Sequence, residues 1–250
     1  MDAKDPLEQR DALFAERRAL VNDFNFGPAT AVVFDDMLSR SVPLYGELQR
    51  MIGEFVTDFA IPGTAIYDLG CSTGTTFLNL DNFLPRDQEY RFIGVDSSAA
   101  MLDEARAKLE KHGFQRPYEL RLGDLNEPLD IHDASVVILT LTLQFVRPLK
   151  RNDVVANIYR GMREGGVLIL VEKVLGEHSL LNRLFVKHYY EFKRANGYSE
   201  LEIAQKREAL ENVLVPYHFQ ENLDLLRAAG FGQLDIFFKW HNFCGMLAVK

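Results

Sequence analysis

The sequence predicts an α/β protein with one mostly parallel sheet of seven strands. Five short, almost continuously apolar segments alternate with helical patterns along the middle of the chain. They lie at residues 64–70, 90–96, 118–124, 135–143 and 166–174. Apolar strands of this kind are typical of a parallel sheet that helices cover on both faces. The segments LDIFFKW and FCGMLAVK near the end of the chain add two strands, which are expected to pair antiparallel at one end of the sheet.

Helical patterns fill the connections between these strands. They cover residues 74–83, 98–112 and 150–163, and the segment NLDLLRAAGF predicts one more helix that ends at Gly230. A longer helical block at residues 179–214 is predicted as an insertion between the fifth and sixth strands.

Residues 1–60 are expected to add N-terminal helices, with a helical pattern over residues 6–60. Ser41 fits a helix N-cap, and Pro43 fits the first turn that follows it. One apolar stripe at helical spacing then comprises Leu44, Leu48, Met51, Phe55 and Phe59. No Pro- or Ser-rich linker divides the chain, so residues 1–250 are expected to form a single domain.

The charge balance and the cysteine content argue against several classes of protein. The 36 acidic and 28 basic residues give a net charge of −8, which disfavours a broad nucleic-acid-binding face. Cys71 and Cys244 are the only cysteines, so neither a disulfide framework nor a metal is expected. The N-terminus lacks a signal-peptide pattern, and no segment approaches the ~18 apolar residues of a membrane span. A cytoplasmic protein is expected.

The first chemical signal is YDLGCSTGTT, which follows a buried strand and opens a helix. Gly70 allows the backbone to turn tightly and to approach a ligand, and Cys71 and Ser72 continue the turn. The G-x-G-x-x-G pattern of nicotinamide-dependent enzymes is absent, which disfavours a dehydrogenase. Asp68 is unusual at the end of an apolar strand.

Acidic residues end the next two strands. Asp96 lies 26 residues after Gly70, where a carboxylate can hold two ribose hydroxyls, and Asp124 is suited to accept from an adenine amino group. Each feature alone also fits a structural role, because turns need glycine and an Asp at a strand end is often a helix N-cap. Together and in this order, they favour an adenosine-type cofactor at the carboxyl ends of the strands.

This combination resembles the class I S-adenosylmethionine-dependent methyltransferase superfamily. That superfamily has a D-x-G-x-G-x-G turn near its first strand and acidic residues that close the second and third strands. The resemblance covers residues 64–250 and implies a Rossmann-like fold that binds S-adenosyl-L-methionine. It says little about the reaction.

The segment FKRANGYSELEIAQKR, residues 192–207, predicts two helices around an Asn-Gly turn. Ser199 and Glu202 fit a capping box at the start of the second helix. Arg207 falls inside the apolar face of that helix, where a guanidinium needs an anion, either a buried acid or a ligand carboxylate. The remaining cations fit snorkelling, with a buried stem and a hydrated head. These are Lys193, Arg194 and Lys206.

Four segments spread from about Phe34 to the C-terminus carry a closer resemblance. They are SRSVPLYGELQRMIG, YDLGCSTG, LTLQF and FKRANGYSELEIAQKR with a following LEN. Together they resemble the carboxy-S-adenosyl-L-methionine synthase family of bacteria. The resemblance implies that S-adenosyl-L-methionine and prephenate are converted into carboxy-S-adenosyl-L-methionine and phenylpyruvate, with a proton acceptor supplied by the substrate. It also implies that a tRNA carboxymethyltransferase uses the product to carboxymethylate a wobble uridine.

The same resemblance assigns roles to ten residues. Tyr45 and Arg207 are implied as catalytic residues that also contact the cofactor, and Arg207 is implied to hold the added carboxylate of the product. The other implied cofactor contacts are Gly70, Cys71, Ser72, Asp96, Ser97, Asp124 and Leu125. Thr140 departs from the family pattern, which has Asn there. A threonine hydroxyl can still hydrogen-bond the cofactor, although it reaches less far than an amide.

Two other functions fit the same residues. A conventional S-adenosylmethionine-dependent methyltransferase acting on a small molecule shares every cofactor residue, and a non-catalytic cofactor-binding module could dock on a partner. A homodimer is expected through the helical insertion, whose exposed aromatics are predicted to be Tyr189, Tyr190 and Phe192. Direct contact with nucleic acid or with a membrane is not expected.

Overall fold

A computed structural model describes residues 10–250. Its strands are β1 (Ala65–Leu69), β2 (Arg91–Asp96), β3 (Tyr118–Leu122), β4 (Ala134–Thr140), β5 (Met162–Leu175), β6 (Tyr217–His218), β7 (Gln233–Trp240) and β8 (Phe243–Val249). The main sheet has the order β3-β2-β1-β4-β5-β8-β7. Strands β1 to β5 are parallel, and β8 runs antiparallel to both β5 and β7. The predicted seven-stranded, mostly parallel sheet is confirmed, and the two-residue β6, which pairs with the end of β5, is an addition.

Eight α-helices lie within residues 10–250. They are α1 (Pro28–Ser41), α2 (Tyr45–Phe59), α3 (Thr75–Asp81), α4 (Ala99–Lys111), α5 (Pro148–Gly161), α6 (Ser179–Ala195), α7 (Glu200–Leu210) and α8 (Phe219–Ala229). All the helices predicted between strands are present, with ends shifted by a few residues. None of the helices in this range is both long and apolar enough to cross a membrane.

Successive residues of a strand point to opposite sides of the sheet. Because the central strands are almost continuously apolar, both faces of the sheet are apolar. Tyr67 and Leu69 of β1 belong to one core cluster together with residues of α5 and α8, whereas Ile66 belongs to another together with residues of α2 and α3. Every residue of β1 is buried. Helices therefore occupy both faces, and a ligand can reach these strands only at their ends.

The N-terminal prediction is partly wrong. Residues 10–27 form turns, bends and irregular backbone instead of a helix, and the predicted positions 6–9 lie outside the described residues. Ser41 is the last residue of α1, where its hydroxyl donates to the Met37 carbonyl at 2.5 Å, so it does not cap the next helix. Leu44 is the N-cap of α2 and its side chain is exposed. The apolar residues buried on α2 are Leu48, Ile52 and Val56.

Part of the backbone of residues 10–27 bonds to the helical insertion instead of forming a helix. The Arg18 N–H donates to Gln205 Oε1 at 2.8 Å, and the Phe24 N–H donates to the Ala209 carbonyl at 2.8 Å. The Gln205 amide in turn donates to the Phe14 carbonyl at 2.9 Å. These long-range bonds satisfy groups that a helix would otherwise satisfy locally.

The insertion consists of α6 and α7, which lie between β5 and β7 along the chain. Gly197, with φ of +83°, forms the predicted turn between them. The predicted capping box at the start of α7 is confirmed, since the Ser199 hydroxyl accepts from the Glu202 N–H and the Glu202 carboxylate accepts from the Ser199 N–H. Helix α7 ends at Leu210, one turn earlier than its pattern suggested.

The prediction of exposed aromatics on the insertion is wrong. Tyr189 is buried, because its ring packs against Phe243 and Trp240 with centroids 5.3 and 6.5 Å away. Tyr190 and Phe192 are half-buried. The exposed apolar side chains of α6 are Leu180, Leu181 and Leu184.

Gly161→Ala should lower the melting temperature. A Cβ at Gly161, the last residue of α5, would lie 2.2 Å from the carbonyl oxygen of Ile131, so the backbone would have to move. Overpacking of this kind costs about 1–3 kcal/mol, and each kcal/mol lowers the melting temperature of a domain of this size by about 2–4 °C. Gly232→Ala is the matched control, because nothing lies within 4 Å of its Cβ position. Equal melting temperatures for the two variants would contradict the close approach.

Candidate active site

One cavity of about 520 Å³ opens at the carboxyl ends of the parallel strands. Helices α1 and α2 contribute one side of it, and α6 and α7 contribute another. All ten residues singled out in the sequence line this cavity. They are Tyr45, Gly70, Cys71, Ser72, Asp96, Ser97, Asp124, Leu125, Thr140 and Arg207. The structure thus brings together side chains from β2, β4, α2, α7 and the loops after β1, β2 and β3, while their roles toward a ligand remain predictions.

The turn after β1 can be formed only by glycine at position 70. Gly70 has φ of +83°, and a Cβ there would lie 2.3 Å from the Thr142 Oγ1 atom. The loop after β4 therefore presses directly on the glycine turn. Ser72 also has a positive φ, of +48°, and its N–H donates to Asp96 Oδ2 at 3.0 Å. A left-handed serine is uncommon, and this bond helps to hold it.

Asp96 joins two loops of the cavity wall. Its Oδ2 accepts from the Ser72 N–H, and its Oδ1 accepts from the Ser98 N–H at 2.9 Å. Ser98, not Asp96, is the N-cap of α4, because the Ser98 hydroxyl accepts from the Met101 N–H at 3.2 Å. Burial raises the pKa of Asp96, while its bonds to backbone N–H groups lower it. The simple helix-cap explanation for Asp96 is therefore excluded.

The wall at β3 and β4 offers further polar groups. Asp124 is exposed, and its Oδ1 accepts from both the N–H and the side-chain amide of Asn126, at 2.8 and 2.7 Å. The following Leu125 is buried. The Thr140 hydroxyl is buried and has no hydrogen-bond partner among residues 10–250. A buried hydroxyl without a partner is costly, so Thr140 is suited to bond a ligand.

Two weakly acidic groups of the cavity wall are the buried Asp68, just before the glycine turn, and the half-buried Tyr45, the first residue of α2. Asp68 is 1% exposed, its Oδ2 lacks a hydrogen-bond partner within the described range, and burial raises its pKa to about 7. The Tyr45 hydroxyl accepts from the Gln49 amide at 3.1 Å. Burial, and after it the nearby charge of Asp35, raises the pKa of Tyr45. Asp68 is therefore mainly uncharged below about pH 7, and the Tyr45 hydroxyl keeps its proton throughout the neutral range.

The helical insertion places its cations differently from the sequence prediction. Arg207 is exposed, not within the buried face of α7, but its side chain lines the cavity. It has no hydrogen bond or ion pair among residues 10–250. Arg194 is exposed and pairs with Glu200, as expected for a surface cation. The buried face of α7 consists of Ile203, Gln205, Lys206 and Ala209.

The prediction of a buried stem and a hydrated charged head is wrong for two of the three cations. Lys193 and Lys206 are only 4% and 6% exposed, and both line the cavity. Sequence reasoning also missed Lys173, which lies near the end of β5 and lines the same cavity. The sequence does contain a signal for Lys173. Like Asp96, it is a charged residue at the carboxyl end of an apolar parallel strand.

Comparisons with solved structures define the fold. The fold is similar to a SAM-dependent methyltransferase from Methanosarcina mazei, with a TM-score of 0.53 and 17% identity over 78% of this chain and 96% of that one. It is also similar to human N-acetylserotonin methyltransferase, solved in complex with SAM, with a TM-score of 0.56 and 17% identity over 88% of this chain and 54% of that one. A sequence family described as "Methyltransferase domain" matches residues 66–166. The fold is that of the S-adenosylmethionine-dependent methyltransferases.

Full-length relatives then narrow the class to one family. The chain is 56% identical to the carboxy-S-adenosyl-L-methionine synthase of Methylococcus capsulatus, over 96% of this chain and 99% of the relative. It is 42% identical to the synthase of the same name from Desulfotalea psychrophila, over 97% and 98%. The chain belongs to the carboxy-S-adenosyl-L-methionine synthase family.

Asp68→Asn should change how the stability of the ligand-free protein depends on pH. The folded-state pKa of Asp68, about 7, exceeds the ordinary value of ~3.9 that applies in the unfolded chain. Between these values the folded state binds more protons than the unfolded state, so the free energy of unfolding falls as pH rises. An amide does not titrate. The melting temperature of the variant relative to wild type should therefore increase between about pH 5 and about pH 8.

The control for this measurement is Asp124→Asn, which removes an exposed carboxylate of the same cavity. Its melting temperature relative to wild type should not follow the same trend. A difference between Asp68→Asn and wild type that stays constant over this pH range would contradict the buried, uncharged carboxyl.

Proposed function

We propose that this protein converts S-adenosyl-L-methionine and prephenate into carboxy-S-adenosyl-L-methionine and phenylpyruvate. The observation that carries the proposal is the guanidinium of Arg207, which lines the cavity without a partner among residues 10–250. S-adenosyl-L-methionine has one carboxylate, that of its amino-acid part. The carboxylated product has a second carboxylate, which a further cation can bind. The full-length similarity to synthases of this name supports the same reaction.

The adenosine part of the donor is proposed to lie over β1, β2 and β3. Asp96 would accept from the ribose hydroxyls beside Ser97, and Asp124 would accept from the adenine amino group beside Leu125. The turn formed by Gly70, Cys71 and Ser72 would face the rest of the donor, with Thr140 and Tyr45 as further contacts. The support for this placement is that the carboxyl ends of parallel strands are where open α/β sheets bind nucleotides.

The proposed reaction balances without an external oxidant or reductant. Prephenate loses carbon dioxide, the electron pair of the broken bond enters its ring, and the ring becomes aromatic as hydroxide leaves. The hydroxide takes one proton from the sulfonium methyl group and becomes water, and the methyl carbon forms a bond to the carbon dioxide. The residues of the cavity need only exclude bulk water and fix the charges, and a cation aimed at the new carboxylate is strongest in such a site.

The product is proposed to serve as the donor for a tRNA carboxymethyltransferase that modifies a wobble uridine. In this proposal the protein acts in the cytoplasm and hands over a small molecule, and it does not itself bind tRNA. Its net charge of −8 supports that separation of roles.

Arg207→Ala should weaken binding of carboxy-S-adenosyl-L-methionine more than binding of S-adenosyl-L-methionine. The two ligands differ only by one carboxylate, and a hydrogen bond to a charged group contributes about 1.5–3 kcal/mol, equivalent to about tenfold or more in affinity. Arg207→Lys should recover part of the loss, because an ammonium keeps the charge but not the planar fork. Calorimetric titration of both ligands into each variant measures the ratio. Arg194→Ala, which removes an exposed arginine of the same insertion that does not line the cavity, is the control.

Two outcomes would count against the proposed function. Equal affinity ratios in wild type, Arg207→Ala and Arg207→Lys would remove the role of the arginine. Mass spectrometry of wild-type protein incubated with S-adenosyl-L-methionine and prephenate should show the carboxylated donor and phenylpyruvate. Transfer of an unmodified methyl group to a small acceptor, with no carboxylated product, would favour a conventional methyltransferase.

We propose that the protein forms a homodimer through α6. Leu180, Leu181 and Leu184 are exposed within one turn of this helix, and a row of exposed leucines on such a domain is suited to a self-complementary interface. Leu184→Glu should therefore lower the sedimentation coefficient at micromolar concentration by converting the dimer into monomer. The control is Leu149→Glu, at a more exposed leucine near the start of α5. A monomeric wild-type protein would overturn the proposal.

A further inference from the structure

Three lysine side chains meet on the wall of the cavity that lies away from the proposed adenosine site. Lys173 comes from the end of β5, Lys193 from the last turn of α6 and Lys206 from α7. All three line the cavity. Strand β5 is three strands from β2 in the sheet, about 14 Å at a spacing of ~4.8 Å per strand. The distance between the lysines and Asp96 is therefore greater than the width of a small organic acid.

The three ammonium groups make cation–π contacts with two tyrosine rings. The Lys173 and Lys193 Nζ atoms lie 4.7 and 5.1 Å from the centroid of the Tyr189 ring. The Lys193 and Lys206 Nζ atoms lie 5.9 and 5.6 Å from the centroid of the Tyr198 ring. Cation–π contacts of this kind compensate only part of the cost of removing an ammonium from water.

The cluster carries more positive charge than the protein neutralises. Asp11 is the one carboxylate paired with it in residues 10–250, with its Oδ2 3.6 Å from Lys206 Nζ, and that oxygen also accepts from the Tyr198 hydroxyl at 2.6 Å. Lys206 Nζ is buried without any hydrogen bond. Lys173 and Lys193 have neither a hydrogen bond from Nζ nor an ion pair within the described residues. Three lysines against one carboxylate leave an excess of two positive charges when all are ionised.

We propose that Lys173, Lys193 and Lys206 bind the two carboxylates of the acid substrate. The proposal rests on the proposed function and extends it: prephenate is a dicarboxylate, and its two negative charges match the excess of the cluster. Arg207, next to Lys206 in sequence, is left for the carboxylate that is formed on the donor. The lysines act as positioning residues for the carboxyl source, and they distinguish a doubly charged acid from a neutral methyl acceptor.

The pH dependence of binding follows from the same burial. Burial, and after it the repulsion among the lysines, lowers the pKa of Lys193 to about 7 and that of Lys173 to about 8, while burial lowers that of Lys206 to about 8. The other charges that face the cluster are Asp11 and Glu202, which favour the protonated lysines, and Arg40, which opposes them. Only the ammonium form binds a carboxylate. Affinity for prephenate should therefore fall as pH rises from about 7 to about 9, without a matching change for S-adenosylhomocysteine.

Replacement of single lysines tests the assignment. Prephenate is titrated by calorimetry into Lys193→Met and Lys206→Met, each saturated with S-adenosylhomocysteine so that no reaction occurs. Methionine keeps most of the apolar stem, and each variant should lose about tenfold or more in prephenate affinity. The affinity for S-adenosylhomocysteine should not change. Lys187→Met, on the exposed part of α6, is the matched control and should bind both ligands like wild type.

A measurement on the wild-type protein covers the case in which a variant fails to fold. Amine-directed labelling followed by peptide mass spectrometry gives the rate of modification of Lys173 and Lys193, whose Nζ atoms are less completely buried than that of Lys206. Prephenate should slow both rates, and inorganic phosphate at equal ionic strength should not. Unchanged rates with prephenate, or equal protection by phosphate, would overturn the proposal.

These readouts are separable from the test of the proposed function. Protection of the lysines by prephenate without any carboxylated product would support the lysine site and overturn the synthase reaction. Formation of that product with unchanged prephenate affinity in both methionine variants would support the reaction and overturn the lysine site.

Discussion

The close approach of Gly70 to Thr142 is the contact on which the rest of the site depends. Because β1 and β4 are neighbours in the sheet, the loops that leave their carboxyl ends compete for the same space. Only the absence of a Cβ at position 70 lets both loops fit. The left-handed turn then presents the Ser72 N–H to Asp96, and this bond fixes the edge of β2 relative to β1. A nucleotide-sized cavity remains where the two loops separate.

A second constraint is the removal of charged groups from water. Asp68 is buried beneath the glycine turn, and Lys193 and Lys206 are buried residues of the helical insertion, without full compensation by partners in the described structure. Such groups destabilise the folded protein when they are ionised. The apolar strands on both faces of the sheet supply the stability that tolerates this cost. A ligand that brings the missing opposite charges is bound tightly for the same reason, since the protein has already removed the competing water.

The sequence predicts the sheet well because strand signals are local. Continuous apolar runs identify β1, β2, β4 and β5, and the charged residue at the end of a run identifies the cavity edge. The three lysines escape such reasoning because their burial depends on long-range contacts. Lys206 is covered in part by the segment that contains Asp11, and that segment forms no helix because its backbone bonds to α7 instead. A helical wheel places Arg207 and Lys206 on faces of α7, but it does not reveal that the buried face is centred on Lys206 and Ala209 and leaves Arg207 exposed.

The division of labour along the chain explains how a methyltransferase fold can carry out a carboxyl transfer. The sheet and its first loops supply the groups proposed to bind the donor, and nothing in them distinguishes transfer of a methyl group from its carboxylation. The residues proposed to distinguish the two reactions all follow the methyltransferase-like segment in sequence. They are Lys173, Lys193, Lys206 and Arg207. Adjacent residues of α7 face different depths of the cavity, with Lys206 buried and Arg207 toward solvent. In the proposed reaction, negative charge leaves the acid and appears on the donor, and α7 contributes one cation to each state. Because α7 is held by backbone bonds to the N-terminal segment, the proposed placement of both cations depends on two elements that lie outside the sheet.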